Sequence, residues 1–398
     1  MKKIFYLVAL FAAVMFTACD SNVQTPQGDK TKLWPAGKKD SQLIGFINKS
    51  GEFEIPAKYD NAVGFSCGWA LVMEDGEYQF IDKSAKNKHS VDKDELRMYF
   101  FYYNHCVFCD GEYYGMWDND FAVVIPADYK RLGIPTADKL VAFSEDPKDA
   151  EGYGYLDFKG NVVIEPQWSG AAAFEDGMAV VTEKKVKDDE ATYKYGIINK
   201  KGEYIVEPQK NPLVSLGESR FSMKKSNDKY VLCDKNLEEL SSSYDYMYPF
   251  SCGLALVKKN DKGWGFIDKN GQEIVSCKYQ YAQDYADDVT FVRKEVDSKY
   301  EVLDKNGESI LKLKEGDSPS DGFHNGLALI DNYDSDAKEY NYRYINKSGE
   351  VIYKWTPGDE DEDEDDAPVW EKSNHRSIMQ TEAGPRFLNF EQVMQEMK

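Results

Sequence analysis

The chain has 398 residues, 42% apolar and 14% aromatic, with a formal net charge of −21. That apolar share is enough for a folded core, and wholesale disorder is excluded. The negative charge disfavours phosphate backbones and anionic surfaces, so nucleic acid is not an expected partner.

Residues 1–19 read MKKIFYLVALFAAVMFTAC. Two lysines, an apolar run from Ile4 to Phe16 and small residues after it have the layout of a secretory signal, and the run is too short for a stable membrane span. The last four residues, Phe16-Thr17-Ala18-Cys19, resemble the lipobox of bacterial lipoproteins, with Phe16 in place of the usual Leu. The resemblance implies cleavage before Cys19, lipid attachment to its sulfur, and anchoring to the cell envelope, with the outer membrane as the expected site. More than one acyl chain makes such an anchor stable. Residues 20–40 open with the polar, turn-rich DSNVQTPQGDKTK and are expected to form a flexible tether.

From 41 to 356 the sequence repeats. A turn of the form Asp/Asn-Lys-x-Gly recurs in GFINKSG (45–51), GYLDFKG (154–160), GIINKKG (196–202), GFIDKNG (265–271), VLDKNG (302–307) and YINKSG (344–349). FIDKSA (80–85), MWDNDF (116–121) and LCDKNL (232–237) are degenerate copies. Nine anchors result, roughly 34 to 42 residues apart. Each is preceded by an aromatic-x-x-Gly-x-Ala-x-Val pattern, as in FSCGWALV (65–72), and followed by an apolar-Pro-x-x-aromatic pattern, as in IPAKY (55–59). Gly at the turn supplies a positive φ. Pro is expected to end the following strand or mark an edge. Each unit therefore reads as an antiparallel meander of about three strands, unable to cover both faces alone. The fold class is all-β: tandem meanders of about 35 residues in a superhelical or propeller-like stack. The charged insertions 184–194 and 331–341 are expected to be loops.

At Gly263-Trp264-Gly265-Phe266-Ile267-Asp268 the chain resembles the WG-repeat (KWG-like) family of bacterial proteins. Tyr153-Gly154, Tyr195-Gly196 and Tyr114-Gly115 carry Tyr for Trp, and Ile44-Gly45 keeps only the Gly. The resemblance implies a β-repeat architecture and little about activity. Trp264, Gly265, Gly45, Gly154 and Gly196 are read as structural motif residues, a large aromatic covering the bare backbone of a neighbouring Gly. The alternative is an exposed aromatic row that stacks on sugar or peptide.

Other candidates are weaker. Cys106-x-x-Cys109 follows the strand-like YFFYY (99–103), and residues three apart on a strand point to opposite faces, against a shared metal. Cys67 and Cys252 occupy equivalent repeat positions and would bridge distant repeats only if the array closed. Asp331-Asn332-Tyr333-Asp334-Ser335-Asp336 lacks the Gly and terminal Glu of a calcium loop. Residues 357–398 hold the acidic run 359–366 and a helix-periodic segment, 387–398, read as a linker and a short cap. No catalytic constellation, metal site or cofactor fingerprint is found. The expected function is a non-catalytic binding or scaffold lipoprotein of the cell envelope, with a protein or glycan ligand. A glycan-binding surface lipoprotein and a hydrolase with an unrecognised site are the alternatives. Burial of Trp264, Trp69 and Trp168 would remove the motive for the glycan reading.

Overall fold

The computed structural model describes residues 32–92, 95–96, 100–145, 152–188, 190–335 and 337–358. The leader with Cys19, the first part of the tether, the acidic run and the C-terminal segment lie outside them. Every regular element among the described residues is a strand, and the strands form nine antiparallel sheets. In chain order they span 34–59, 61–91, 105–129, 131–168, 170–209, 213–233, 246–279, 281–312 and 317–355.

All nine anchor turns are built alike. The Asp or Asn side chain accepts the backbone N–H groups two and four residues on. Asp268 Oδ1 takes Asn270 N at 2.9 Å and Gln272 N at 2.8 Å, and Asn346 takes Ser348 N at 3.0 Å and Glu350 N at 3.1 Å. Such a side chain satisfies donors that no strand reaches. The residue three places on has positive φ in every copy: Gly271 at 80°, and Ala85, Phe121 and Leu237 at 55°, 61° and 63° in the degenerate ones.

Most units have four strands, one more than the sequence suggests. In the seventh sheet they are Tyr246–Ser251, Leu254–Lys259, Gly263–Asp268 and Glu273–Tyr279, paired in that order. The additional first strand is often only two residues, such as Asn61–Ala62 or Gly170–Ala171. It escapes notice because it continues the last strand of the preceding sheet after one intervening residue, Asp60 or Ser169.

The motif glycine follows from a kink in the fourth strand. Between the pairs Trp264↔Tyr279 and Phe266↔Val275 the third strand advances two residues and the fourth advances four. The surplus bulges across Gly265, where a Cβ would stand 2.5 Å from the Val275 carbonyl oxygen. Gly45, Gly115, Gly154 and Gly196 face similar register shifts. Where the position holds Gln79, Glu301 or Arg343, the register beside it is regular. Gly45, Gly154 and Gly265 are thus covered by neighbouring backbone, and at Gly115 and Gly196 the Phe108 and Tyr204 rings lie over the glycine as well. Pro56, Pro126, Pro166 and Pro208 lie in these kinked strands and do not terminate them, since a bulge frees the N–H that Pro lacks.

Neighbouring sheets share apolar clusters, and the series closes. Trp34, Ala36 and Ile47 of the first sheet pack with Leu327, Tyr342, Tyr344 and Trp355 of the ninth. Tyr344 and Tyr353 donate their hydroxyls to the carbonyls of Pro35 (2.7 Å) and Gly37 (3.0 Å), and Trp34 Nε1 donates to His324 O at 2.9 Å. Asp40 N donates to Thr356 O at 3.0 Å. The stack is a nine-bladed β-propeller ring, not an open superhelix. Trp34–Gly37, placed in the tether by sequence reading, is a strand of this seam because Trp34 and Ala36 are buried in it.

Gly265→Ala is expected to lower stability by about 2–3 kcal/mol, because backbone cannot yield to the added methyl. Ala85→Gly is expected to raise it by about 0.5–1 kcal/mol by relieving a left-handed conformation. Urea unfolding midpoints of the two variants check both signs.

Candidate binding face

In an antiparallel meander, successive connections alternate between the two ends of the sheet. The first–second and third–fourth connections therefore share one face of the ring, and the second–third hairpins share the other.

The first of these faces is interlocked. Trp69 Nε1 donates to the carbonyl of Asn119 in the third sheet's anchor turn at 3.0 Å, and Arg220 Nε to that of Lys269 in the seventh's at 2.6 Å. In two of the turns the Lys reaches back to the preceding sheet, whereas Lys305 pairs with Asp288 of its own. Lys200 pairs with Asp138 at 2.5 Å, and Lys347 binds the Asp287 carbonyl. Asp138 also receives Gly177 N at 3.0 Å, and Asp287 receives Gly326 N at 2.5 Å.

The opposite face carries the hairpins, and two of them are long. In the fifth sheet Met178–Lys187 and Glu190–Asn199 pair without interruption from Met178↔Asn199 to Lys187↔Glu190. In the ninth, Leu327–Asp334 and Glu339–Asn346 pair out to Asp334↔Glu339. Both charged insertions expected as loops are therefore strand extensions. Their alternation of side chains sustains cross-strand pairing past the rest of the sheet. The fifth-sheet arm is exposed on both faces from Lys184 to Lys194, with Val186 63% exposed and Tyr193 41%. In the ninth-sheet arm the Tyr333 and Tyr340 rings lie 4.9 Å apart, and Tyr333 is 49% exposed. Sequence reasoning missed both arms; the hint was the alternation that runs out of the charged stretches, Tyr193 and Tyr195 in one and Tyr340, Tyr342 and Tyr344 in the other.

Two carboxyls that touch solvent are desolvated. Glu175 has an exposed side chain, yet desolvation pushes its carboxyl above the ordinary range, with the charges of Asp176 and Asp138 adding, while the Ser215 hydroxyl donates to it at 2.5 Å. Half-buried Asp284 is pushed up to about 7 by desolvation. Glu175 directly follows, and Asp284 directly precedes, the aromatic of its aromatic-x-x-Gly segment. On the same segment of the ninth sheet, His324 Nε2 lies 3.0 Å from Asp321 Oδ2. Desolvation lowers the pKa of His324, but the charge and hydrogen bond of Asp321 together with the charge of Asp287 outweigh it, and the net shift is upward.

The remaining sequence candidates are structural. Trp264 and Trp168 are buried and Trp69 is half-buried. Cys106 and Cys109 sit on the strand His105–Asp110, both buried, and burial pushes the Cys106 thiol up. Cys67 Sγ donates to the Phe101 carbonyl at 3.3 Å, so a Cys67–Cys252 bridge is not formed. Asp331 belongs to a strand and accepts the Ser320 hydroxyl at 2.7 Å. Among the described residues no group of three or more His, Cys, Asp or Glu is placed to hold a metal.

The WG containing repeat is matched by residues 44–78, 153–185, 195–209, 238–262 and 264–300. No curated protein matches the chain. Among solved structures, the computationally designed Ika8 protein is similar at a TM-score of 0.42 and 12% identity, over 80% of this chain and 100% of that one. Dipeptidyl peptidase 4 of Porphyromonas gingivalis is similar at 0.44 and 9%, over 87% of this chain and 61% of that one. An acylaminoacyl peptidase of Pyrococcus horikoshii is similar at 0.36 and 8%, over 74% and 52%. The chain thus spans 61% and 52% of the two peptidases. Nothing about activity follows from likenesses this remote.

Asp284 supplies a pH test. Its folded pKa, about 7, stands above the ordinary 3.8, so ionisation costs stability that is present below 3.8 and lost as pH rises through about 7. Asp284→Asn is expected to be more stable than the parent at pH 8 and no more stable at pH 4, as read by thermal unfolding at both.

Proposed function

As a WG-repeat chain, this protein is, we propose, an exported lipoprotein anchored through Cys19 to the bacterial cell envelope, where its ring is a non-catalytic binding or scaffold module. The observation behind this reading is the asymmetry of the ring. One face is tied together by turn-to-turn hydrogen bonds and ion pairs. The other presents hairpins of unequal length whose tips touch solvent. Binding residues concentrate on variable loops held by a rigid scaffold, and this hairpin face has that character. The leader and the residues flanking Cys19 support export and anchoring, and the outer membrane is the proposed location.

A glycan ligand is the second reading. Its support is an aromatic series that starts at exposed Tyr333 and runs through Tyr340, Tyr342 and Trp355. Burial of Trp168 and Trp264 takes away the residues that first suggested it. Binding on a glycan array that Tyr333→Ala abolishes would favour it over a protein ligand.

The anchor is tested directly. Cys19→Ser is expected to end incorporation of labelled palmitate and move the protein from the membrane to the soluble fraction. Label retained in the variant overturns the lipoprotein reading.

A further inference from the structure

The two long arms have complementary chemistry. Alternation along the fifth-sheet arm puts Lys184, Tyr193, Val186 and Ala191 on one side, and the opposed charges Glu183↔Lys194 and Lys187↔Glu190 on the other. The first side is apolar, ringed by lysine and covered by nothing among the described residues. Two strands projecting alone are marginal in water, so this surface gains by being covered. Residues 184–194 hold four lysines against three acids, in a chain whose net charge is −21. The ninth-sheet arm is the reverse. Residues 331–340 hold four acids against one lysine, around exposed Tyr333 and half-buried Tyr340.

Position within the ring matters as much as charge. Both arms are second–third hairpins and so project from the same face. They stand four places apart in a ring of nine sheets, on nearly opposite sides. One molecule cannot bring its own two arms together. A second copy facing the first can, because a two-fold axis midway between the arms sets each fifth-sheet arm against the ninth-sheet arm of the other molecule. Both contacts form at once, and the assembly closes at two. We propose that the hairpin face is a self-recognition surface, which pairs two copies through these reciprocal arm contacts. Val186 and Tyr193 meet Tyr333 and Tyr340, while the net positive charge of the one arm attracts the net negative charge of the other.

A lipid surface fits the fifth-sheet arm less well. Asp188 and Glu190 at its end are both acidic and would enter an anionic headgroup layer first. The proposal does not depend on export or on any further ligand. A monomeric wild type would overturn it and leave partner capture by the same face open.

The test is a charge swap on the full chain, read by sedimentation velocity. Lys184→Glu/Lys185→Glu makes both arms acidic, and Asp334→Lys/Glu339→Lys makes both basic. All four positions are exposed, and circular dichroism confirms the fold of each variant. The wild type is expected to sediment as a dimer, with its dissociation constant raised at least tenfold by high salt. Each variant alone is expected to be monomeric at the same concentration. An equimolar mixture of the two is expected to regain the dimer. A monomeric wild type, variants that dimerise unchanged, or a mixture that stays monomeric overturns the proposal.

Discussion

The packing of the ninth sheet on the first is the contact on which the rest of the molecule depends. Each sheet has two apolar faces, and a linear stack always leaves one bare at each end. Here the two bare faces are given to one another. Joining ends some 300 residues apart costs a fully flexible chain about 5 kcal/mol, at about 0.6 kcal/mol for each doubling of length. Burial of a large side chain contributes about 1.5–3 kcal/mol. Trp34, Trp355, Tyr342 and Tyr344 are all buried here, so the seam outweighs the closure cost. Clusters between consecutive sheets manage with more aliphatic side chains, such as Met178, Val180, Ile197 and Leu213. Only the seam joins the two ends of the chain, and it is also rich in Trp and Tyr.

How much of this was legible in the sequence depends on how local each cause is. The nine anchor turns could be read because Asp268, Gly271 and the donors between them lie within five residues. Even the copies without Gly were found, since Ala85, Phe121 and Leu237 keep the Asp three places before. The motif glycine was located, and a ring does cover it at Gly115 and Gly196, but the surplus of residues in a different strand could not be read. The seam was invisible: Trp34–Gly37 follows a polar stretch, and its partners lie more than 300 residues away. The arms were misread as loops because charge dominates their composition, while the feature that makes them strands is the pairing between Val186 and Ala191 or Tyr333 and Tyr340. The Cys67–Cys252 bridge failed for a related reason. Its place in the repeat sets the Cys67 thiol beside the next sheet's backbone at Phe101, and not beside Cys252.

The same repeat divides labour between the two faces of the ring. On the turn face one short motif does two jobs: its Asp or Asn closes the turn, and in two copies its Lys reaches the preceding sheet. That face has little freedom to vary. The hairpin face has no such duty, and its connections differ in length from sheet to sheet. Glu175 and Asp284 hold carboxyls that the surrounding protein makes reluctant to ionise. Recognition chemistry can therefore change on one face while the other maintains the ring.

The place where the ring closes also decides how it bears load. The described chain enters at Trp34 and leaves at Gly358, and both belong to the same interface. A pull on either end is felt there first. The eight other interfaces are joined by consecutive chain and carry no tension until the seam parts. Once it parts, a closed ring becomes an open spring of sheets that can lengthen without any one of them unfolding. A ring pulled at both ends would thus yield at a single, reversible joint.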